Sequence, residues 1–427
     1  MLQNLVTAFR APDIRRKILF TLFILLVFRI LTNVPVPNVN RDELARLFQT
    51  NQLLGLLDLF SGGGLATASI IGMGVNPYIN ASIIMQLMQG VIPALSQLAR
   101  EGEYGRNKIN QYVRMLTVPL AFAQGYGFSV LLTNAGVLPA APLFSVQTLS
   151  LLLSFTAGTI LLMWLGELIT ERGLGNGISF IIFAGIVGRI PDQAAPIITG
   201  PEGVVKMIPF VLIGLVVIAG IVFINEGQRR IPVQYASRVR GRRMYQGTTT
   251  HLPLKVTMAG VIPIIFSISI LLFPSQIATY FTTSDIDWVR AAADFVAFHL
   301  SPQDIFVYGG LYFLLTVFFT YFYTAFTFKP DETADYLRKN GGFIPGIRPG
   351  RPTQDFLARV VNRITLGGAI FLGAIAVLPL VVASLIPGTE NLRLGGTSIL
   401  IVVGVVVETM KQLEAQMLMR NYEGFIR

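Results

Sequence analysis

The chain lacks cysteine entirely and contains only two histidines, His251 and His299, among its 427 residues. Without cysteine it can form no disulfide framework, no thiol nucleophile and no thiolate-bound metal site. Two isolated histidines are typical of structural roles, so we predict no metal site. Charged residues are also scarce, at 13%, whereas soluble proteins carry roughly 25%. This number of charged residues is too small to cover the surface of a protein surrounded by water. Lipid must therefore be the solvent for much of this chain.

Hydrophobic residues make up 53% of the sequence, and the mean hydropathy is +0.63. A helix needs about 20 mostly apolar residues to cross a bilayer. The sequence therefore predicts an all-α polytopic membrane protein with about ten transmembrane helices. The predicted spans are 18–34, 72–92, 113–133, 149–168, 178–191, 204–224, 256–280, 305–327, 364–386 and 397–414.

Lysine and arginine are distributed unevenly between the two sides of these spans. If the N-terminus is cytoplasmic, 26 of them fall on the cytoplasmic side and six on the opposite side, with Arg29 inside the first span. Because cytoplasmic loops collect basic residues, this predicts that both termini are cytoplasmic. The net charge of +10 then follows from topology and does not indicate DNA binding.

The span count also divides the chain into two parts. Residues 1–200 contain spans one to five, and residues 201–427 contain spans six to ten. Because each half has an odd number of spans, the second half begins on the opposite side from the first. The two five-helix halves are therefore expected to be inverted relative to each other, as in many translocating proteins.

Two predicted cytoplasmic loops, 225–256 and 328–363, are long and rich in Arg, Gly and Pro. They are interpreted as a docking surface for a partner, although ordinary positive-inside bias alone also places basic residues there. Glycines and prolines in 341–352 favour docking, because such turn chemistry would hold Arg348 at a defined tip. A basic surface prefers an anionic partner, either a phosphate backbone, an acidic protein or a lipid headgroup.

Residues 53–71 are predicted to form a short apolar helix that carries a run of three glycines, Gly62, Gly63 and Gly64. Glycine destabilises a helix by about 1 kcal/mol per residue relative to alanine, so this element suits a segment that must shift. A re-entrant loop with no gating role is an equally simple interpretation.

Polar side chains also occur within the spans: Asn80, Ser82 and Gln86 in span two and Gln124 in span three. Such groups should face a bundle interior or a wet cavity. No span contains the acid cluster expected of an ion-coupled transporter.

Seven stretches, in order and in register with the spans, resemble the SecY/Sec61-alpha family over essentially the whole chain. They are VFRILTNVPVPNVN (27–40), NPYINASIIMQL (76–87), GEYGRNKINQY (102–112), GELITERGLGNGIS (166–179), THLPLK (250–255), GGFIPGIRPG (341–350) and GGTSILIVV (395–403). The resemblance implies a protein that is not an enzyme and has no cofactor. It implies a channel that passes unfolded secretory polypeptides across the bacterial inner membrane and releases apolar segments into lipid through a lateral gate.

The resemblance also assigns residues. It implies an aliphatic pore ring formed by Val75, Ile79, Ile178, Ile182, Ile265 and Ile401. It implies a plug within 57–70, centred on Phe60, Ser61, Gly62, Gly63, Gly64, Leu65, Ala66 and Thr67. Candidates for the polar seam of the lateral gate are Asn80, Gln86, Gln124 and Thr257.

Docking is implied at Arg348 and at the tip of the other long loop, at Arg242 and Arg243. The implied partners are the small membrane subunits SecE and SecG, the SecA ATPase motor, the ribosome, signal peptides, unfolded client polypeptides and lipid. The chain has no GxxxxGK[ST] phosphate-binding loop, so a partner must supply the energy. Two alternatives remain: a secondary transporter of a small solute, and an insertase or scaffold without a through-pore.

Overall fold

The structure is a computed structural model. It describes residues 11–36, 39–50, 54–55, 58, 61–139, 142, 145–199, 203–235, 238–240, 243–245, 249–258, 260, 262–282, 286–301, 304–385 and 392–424. In this described part of the chain, eight helices precede the first strand: α1 Pro12–Leu31, α2 Arg41–Thr50, α3 Asn76–Val91, α4 Pro93–Arg100, α5 Glu103–Asn134, α6 Val146–Arg172, α7 Gly177–Thr199 and α8 Gly203–Glu226. Four strands follow: β1 Gln228–Tyr235, β2 Arg238–Arg240, β3 Arg243–Tyr245 and β4 Thr249–Lys255. The remaining elements are α9 Ile262–Phe281, α10 Asp287–His299, α11 Ile305–Thr327, α12 Pro330–Lys339, β5 Gly342–Phe343, α13 Arg351–Leu385 and α14 Leu392–Gly424.

Each of the ten predicted spans overlaps one long helix. By length and apolar composition, five helices of the described chain could cross a membrane: α5, α6, α9, α11 and α13. Helices α3 and α4 together make a sixth, bent by 101° at a short break that contains Ile92. Helices α7 and α8 contain shorter apolar stretches, Gly177–Arg189 and Gly214–Glu226.

Several predicted boundaries were wrong by more than one turn. Helix α5 begins at Glu103 rather than 113, α13 at Arg351 rather than 364, and α14 continues to Gly424. The additional turns of these three helices are polar, so a hydropathy pattern does not detect them. Helices α3 and α9 instead begin later than predicted, because turns precede Asn76 and strand β4 runs to Lys255.

The apolar helix predicted for residues 53–71 does not extend through the glycine run. Among the described residues of that range Leu54, Gly55, Asp58 and Ser61 are helical, and residues 62–75 are mainly turns. The backbone φ angles of Gly62 and Gly63 are +67° and +91°, in the left-handed region that helices of L-residues avoid. The glycine run therefore ends the helix.

The two long loops predicted at 225–256 and 328–363 are joined to each other by a folded sheet in their described parts. Strand β1 pairs antiparallel with β4 along its length and with β5 at its end, where Gln234 faces Phe343. Helix α12 and the first turns of α13 cover this three-stranded sheet. The shared core contains Ile231, Val233, Leu254, Leu337, Ile344, Leu357, Val360 and Val361. We call this body the sheet unit.

The membrane helices pack around one large apolar cluster. Helix α3 packs along α5, α5 along α6, and α11 along α13. Helix α9 contacts α3 and α5 on one side and α11 on the other, so it joins the early and late parts of the chain. The cluster draws buried side chains from α1, α3, α5, α6, α7, α8, α9, α11, α13 and α14.

Candidate functional site

The glycine-rich segment at residues 61–75 is buried among the helices. Ser61 to Leu65 and Ile71 to Val75 are buried, while Thr67 is exposed. A Cβ on Gly62 would lie 2.6 Å from Cζ of Phe28 in α1 and 2.9 Å from Cα of Gly185 in α7. Only glycine fits this contact. Of the predicted plug residues, Ser61 to Thr67 lie in this segment, and Phe60 lies outside the described residues.

The carboxylate of Asp58 organises the start of the segment. Its side chain is only 1% exposed, and Oδ2 forms an ion pair with the guanidinium of Arg189 in α7. Oδ1 accepts hydrogen bonds from the backbone N–H of Ala66 at 2.9 Å and from the Ser61 hydroxyl at 3.1 Å. The Ser61 hydroxyl oxygen in turn accepts from the backbone N–H of Leu65 at 3.0 Å. These bonds close residues 58–66 into one compact loop.

Helix α1 holds the other side of the segment. Arg29 donates to the carbonyl of Gly62 at 3.2 Å and to that of Gly188 at 3.1 Å, which links α1, the segment and α7. The Thr67 hydroxyl donates to the carbonyl of Thr32 at 2.8 Å, and the Ser69 hydroxyl to that of Leu31 at 2.6 Å. The segment is therefore fixed by polar bonds as well as by apolar packing.

No contact role for Asp58, Arg29 or Arg189 was predicted from the sequence, although Asp58 lies within the predicted plug segment 57–70. Arg29 was noted only as a charge inside the first span, and Arg189 was counted among the six basic residues of the opposite side, at the end of the predicted span 178–191 that corresponds to α7. The usable signal was charge at membrane depth, since such residues are rare and normally paired.

All six predicted ring residues belong to, or pack against, one apolar cluster. Five of them are almost completely buried there, and Ile178 is half-buried against it; the five are Val75, Ile79, Ile182, Ile265 and Ile401. They come from the end of the glycine-rich segment and from α3, α7, α9 and α14. Leu65, Ala68 and Ile71 of the segment belong to the same cluster. The predicted ring and the predicted plug thus share one large apolar cluster with the membrane helices.

Helix α9 meets α5 in a close contact. A Cβ on Gly127 would lie 1.9 Å from Cε2 of Tyr280, so the Tyr280 ring lies directly on this glycine. The Tyr280 hydroxyl donates to the backbone carbonyl of Gln124 at 3.4 Å. Sequence reasoning proposed Gln124 but missed Gly127 and Tyr280, whose pairing only a three-dimensional structure reveals.

The predicted polar seam is only partly assembled. Gln124 is buried, and Asn80 and Gln86 are half-buried on α3. Within the described residues, Nε2 of Gln124 and Oε1 of Gln86 have no hydrogen-bond partner. Thr257 is engaged elsewhere, because its hydroxyl donates to Oδ1 of Asn225 at the end of α8 at 2.7 Å. The described hydrogen-bond partner of Thr257 is thus on α8, and its place in the seam stays a prediction.

A cavity of about 780 Å³ lies between α3, α4 and α5 on one side and the junction of α11 with α12 on the other. Its wall is about half polar, and the polar part includes Gln86, Gln89, Asn110, Tyr323, Lys329 and Glu332. The cavity separates α3 and α5 from the end of α11 that leads into the sheet unit.

Arg348 lies exposed on the turn between β5 and α13. The Thr353 hydroxyl donates to its backbone carbonyl at 2.8 Å, which fixes the turn against the first turn of α13. A fixed turn at Arg348 agrees with the prediction that residues 341–352 hold this arginine at a defined tip. Of the other proposed docking residues, Arg242 lies outside the described residues, and only the backbone of Arg243, in β3, is described.

Comparison with known proteins gives consistent matches. The SecY family model matches residues 69–410. The chain is 46% identical to the protein translocase subunit SecY of Mycobacterium tuberculosis and 45% identical to that of Streptomyces coelicolor, and each alignment covers 100% of both sequences.

Solved structures share the fold at 17% sequence identity. One is described as a protein-conducting channel, with a TM-score of 0.64, covering 94% of this chain and 92% of that one. Another, at 0.63 with the same coverage, concerns the plug domain of SecY, which stabilises the closed state and maintains a membrane seal. A third, at 0.62 and again with this coverage, is Sec61 in a canine ribosome–channel complex.

Proposed function

The chain belongs to the SecY family, and from this premise we propose how its residues serve a protein-conducting channel. It is a channel subunit for polypeptides, rather than a solute transporter or an enzyme. We propose further that it passes unfolded secretory polypeptides across a bacterial inner membrane, with both termini in the cytoplasm. Residues 1–200 and 201–427 act as its two inverted halves, and the pathway runs between them.

The observation that carries this proposal is that six aliphatic side chains, drawn from both halves, belong to or pack against one apolar cluster. Val75, Ile79, Ile178 and Ile182 come from the first half, and Ile265 and Ile401 from the second. An aliphatic constriction offers no ligand to replace the hydration shell of an ion, so it opposes leak by dewetting. The same side chains can contact a passing chain without binding any particular sequence.

The glycine-rich segment is proposed as the plug that completes the seal. It joins the ring cluster through Leu65, Ala68 and Ile71. Its polar contacts to Arg29 and Arg189 keep it seated, and the glycine turns let it move as a unit. A seal of this kind needs both parts, because the ring alone must widen when a chain passes.

The contact of α3 and α5 with α9 is proposed as the lateral gate. It rests on few interactions across the seam, notably the Tyr280 ring on Gly127 and the weak bond to Gln124. Leu, Ile, Phe and Val favour transfer into a bilayer, so an apolar segment that enters this seam partitions into lipid. Asn80, Gln86 and Thr257 are proposed for the same seam, and the Thr257 hydroxyl also donates to Asn225 of α8.

The sheet unit is proposed as the docking surface for partners that supply energy. Arg348 lies exposed at its tip, and the family resemblance assigns Arg242 and Arg243 to the same docking role. A SecA motor and a ribosome both offer anionic surfaces that fit these cations. SecE and SecG are the proposed membrane partners, and signal peptides and unfolded clients the proposed cargo.

Crosslinking to a stalled client tests this function. Because the chain has no cysteine, a crosslink to this chain can form only at the single cysteine that is introduced. A client with one cysteine, arrested by a stable folded domain at its end, is expected to crosslink to Ile79→Cys and to Ile401→Cys. The control, Leu153→Cys, lies 61% exposed on α6 and should stay uncrosslinked.

Equal crosslinking at the control site, or none at the ring sites while the client remains stalled, would contradict a pathway through the ring.

A further inference from the structure

Helix α10 follows α9 at the end of that helix opposite the sheet unit, and it has three distinct faces. Charged residues occur at a spacing of three or four: Asp287, Arg290 and Asp294. Residues three or four apart share one side of a helix. All three are exposed, so this stripe faces water.

The second face packs against the protein. Ala293 is buried, and Val289 and Val296, on the same side, are half-buried. Helix α10 makes its contacts with α9. At its C-terminal end, Nδ1 of His299 lies 2.6 Å from Oδ2 of Asp304, whose Oδ1 caps the backbone N–H of Val307 in α11. The bond to His299 and the bond from Val307 lower the pKa of Asp304. Helix α10 is thus tied to both neighbouring spans.

The third face is aromatic and uncovered. Trp288, Phe295 and Phe298 are 74%, 65% and 54% exposed. A soluble surface rarely leaves three large aromatic side chains on one helical stripe. The aromatic stripe and the charged stripe are separate, so the helix is amphipathic across its exposed surface.

The exposed apolar surface continues on both sides of α10. Ile277 and Phe281, in the last turns of α9, are exposed, and so are Phe306 and Val307, in the first turn of α11. Both helices are long and apolar enough to cross the membrane, so these residues belong to their lipid-facing surface. The aromatic face of α10 extends that surface at its edge.

We propose that α10 is an interfacial helix that binds the lipid surface on the membrane side opposite the sheet unit, with Trp288, Phe295 and Phe298 inserted at headgroup depth. Amphipathic helices lie in this plane with the apolar face in the acyl boundary, and tryptophan is enriched at that depth. The occupant of the aromatic face is lipid because the face continues a lipid-facing surface. This binding holds the end of α9, and with it Tyr280, in place at the seam.

Tryptophan fluorescence tests the position directly. The chain has two tryptophans, Trp164 and Trp288. In the Trp164→Phe variant, reconstituted into phosphatidylcholine and phosphatidylglycerol vesicles, Trp288 is expected to show blue-shifted emission. Lipids brominated near the headgroup end of the acyl chain are expected to remove most of its fluorescence, and iodide in the water very little. The Trp288→Phe variant supplies the control, because Trp164 is 54% exposed in the middle of α6, a spanning helix.

Cysteine labelling separates the two exposed stripes of the same helix. Asp294→Cys lies on the charged stripe and Ala292→Cys beside the aromatic stripe, and both positions are exposed in the protein itself. In vesicles, a membrane-impermeant maleimide is expected to label Asp294→Cys fully and to label Ala292→Cys only weakly. Equal labelling, or iodide quenching of Trp288 without quenching by brominated lipid, overturns the proposal. Protection of both Ala292→Cys and Trp288 from water without quenching by lipid also overturns it, since a protein then covers the face.

Discussion

Asp58 and Arg189 form an ion pair in which the carboxylate is 1% exposed and the guanidinium side chain 24% exposed. Asp58 lies at the start of the proposed plug, and Arg189 lies on α7, which also contributes Ile178 and Ile182. Removing one partner of a buried pair destabilises a structure by about 3–5 kcal/mol, because the other charge is left uncompensated. The pair therefore favours the seated position of the plug over any displaced one.

Arg189→Leu is expected to unseat the plug and raise ion leak through the resting channel. A change of about 3 kcal/mol corresponds to roughly a hundredfold shift between seated and displaced states. Ion conductance of the reconstituted channel complex measures the effect. The double variant Asp58→Asn with Arg189→Leu should leak less than Arg189→Leu alone, since no buried charge remains unpaired.

The control for this prediction is a second arginine–acid pair, Arg114 with Glu167, at 2.7 Å. Arg114 is 45% exposed, and exposed pairs contribute only about 0–1 kcal/mol. Arg114→Leu should leave the conductance unchanged. A leak equal to that of Arg189→Leu would show that loss of any arginine on this bundle loosens the channel.

Gly62→Ala tests the fit of the plug between α1 and α7. The added methyl group meets Phe28 and the backbone of Gly185, and the φ of +67° is unfavourable for alanine. Overpacking of this kind destabilises by about 1–3 kcal/mol, so we expect increased leak. Gly367→Ala, in α13, meets nothing within 4 Å and serves as the matched control. A tight Gly62→Ala channel would contradict the described packing.

Gly127→Ala tests the seam between α5 and α9. The methyl group occupies the position of the Tyr280 ring, so we expect a lower melting temperature and a loss of about 1–3 kcal/mol of stability. In a protein that already carries Tyr280→Ala, the substitution Gly127→Ala should cost less stability than it does in the wild type. A double-mutant cycle measures this difference. Gly310→Ala in α11, again with nothing within 4 Å, should behave as wild type. Additive effects of the two substitutions would rule out the contact.

Arg348→Glu tests the proposed docking tip. Its side chain is exposed, and its hydrogen bond to Thr353 uses only the backbone, so the fold should be unaffected. We expect translocation driven by a partner to fall at least about tenfold, because charge reversal weakens a complementary electrostatic contact. Lys339→Glu makes the same charge change at an exposed site on α12. If both variants lose activity equally, net charge rather than the Arg348 position is responsible.

The spans could be predicted from sequence because lipid demands long apolar runs, and each run indeed contains a helix. Helix α5 was predicted too short, because Glu103 to Tyr112 form polar turns that leave no apolar signal. The sheet unit was missed for a related reason. In β1 only Ile231 and Val233 alternate with exposed residues, which is too short a pattern to stand out among arginines.

The site residues divide in the same way. Family motifs picked out the six ring residues, and all of them belong to or pack against the large apolar cluster; their role as a ring stays a prediction. Contacts between distant parts of the chain, such as Asp58 with Arg189 and Gly127 with Tyr280, depend on how helices cross, which no local pattern encodes. The hydrogen bond between Thr257 and Asn225 is of the same kind, since nothing in the sequence around Thr257 indicates that partner.

Helix α13 runs without interruption from Arg351, beside the Arg348 turn, to Leu385. At 1.5 Å per residue its 35 residues measure about 52 Å, which exceeds the thickness of the bilayer core. Its near end is clamped by the sheet unit, and along its length it packs on α11 and α14. One helix therefore connects the exposed Arg348 turn with the membrane-spanning bundle. It packs on α14, which contains Ile401, so the proposed docking tip and the proposed ring are joined through packed helices rather than through an irregular loop.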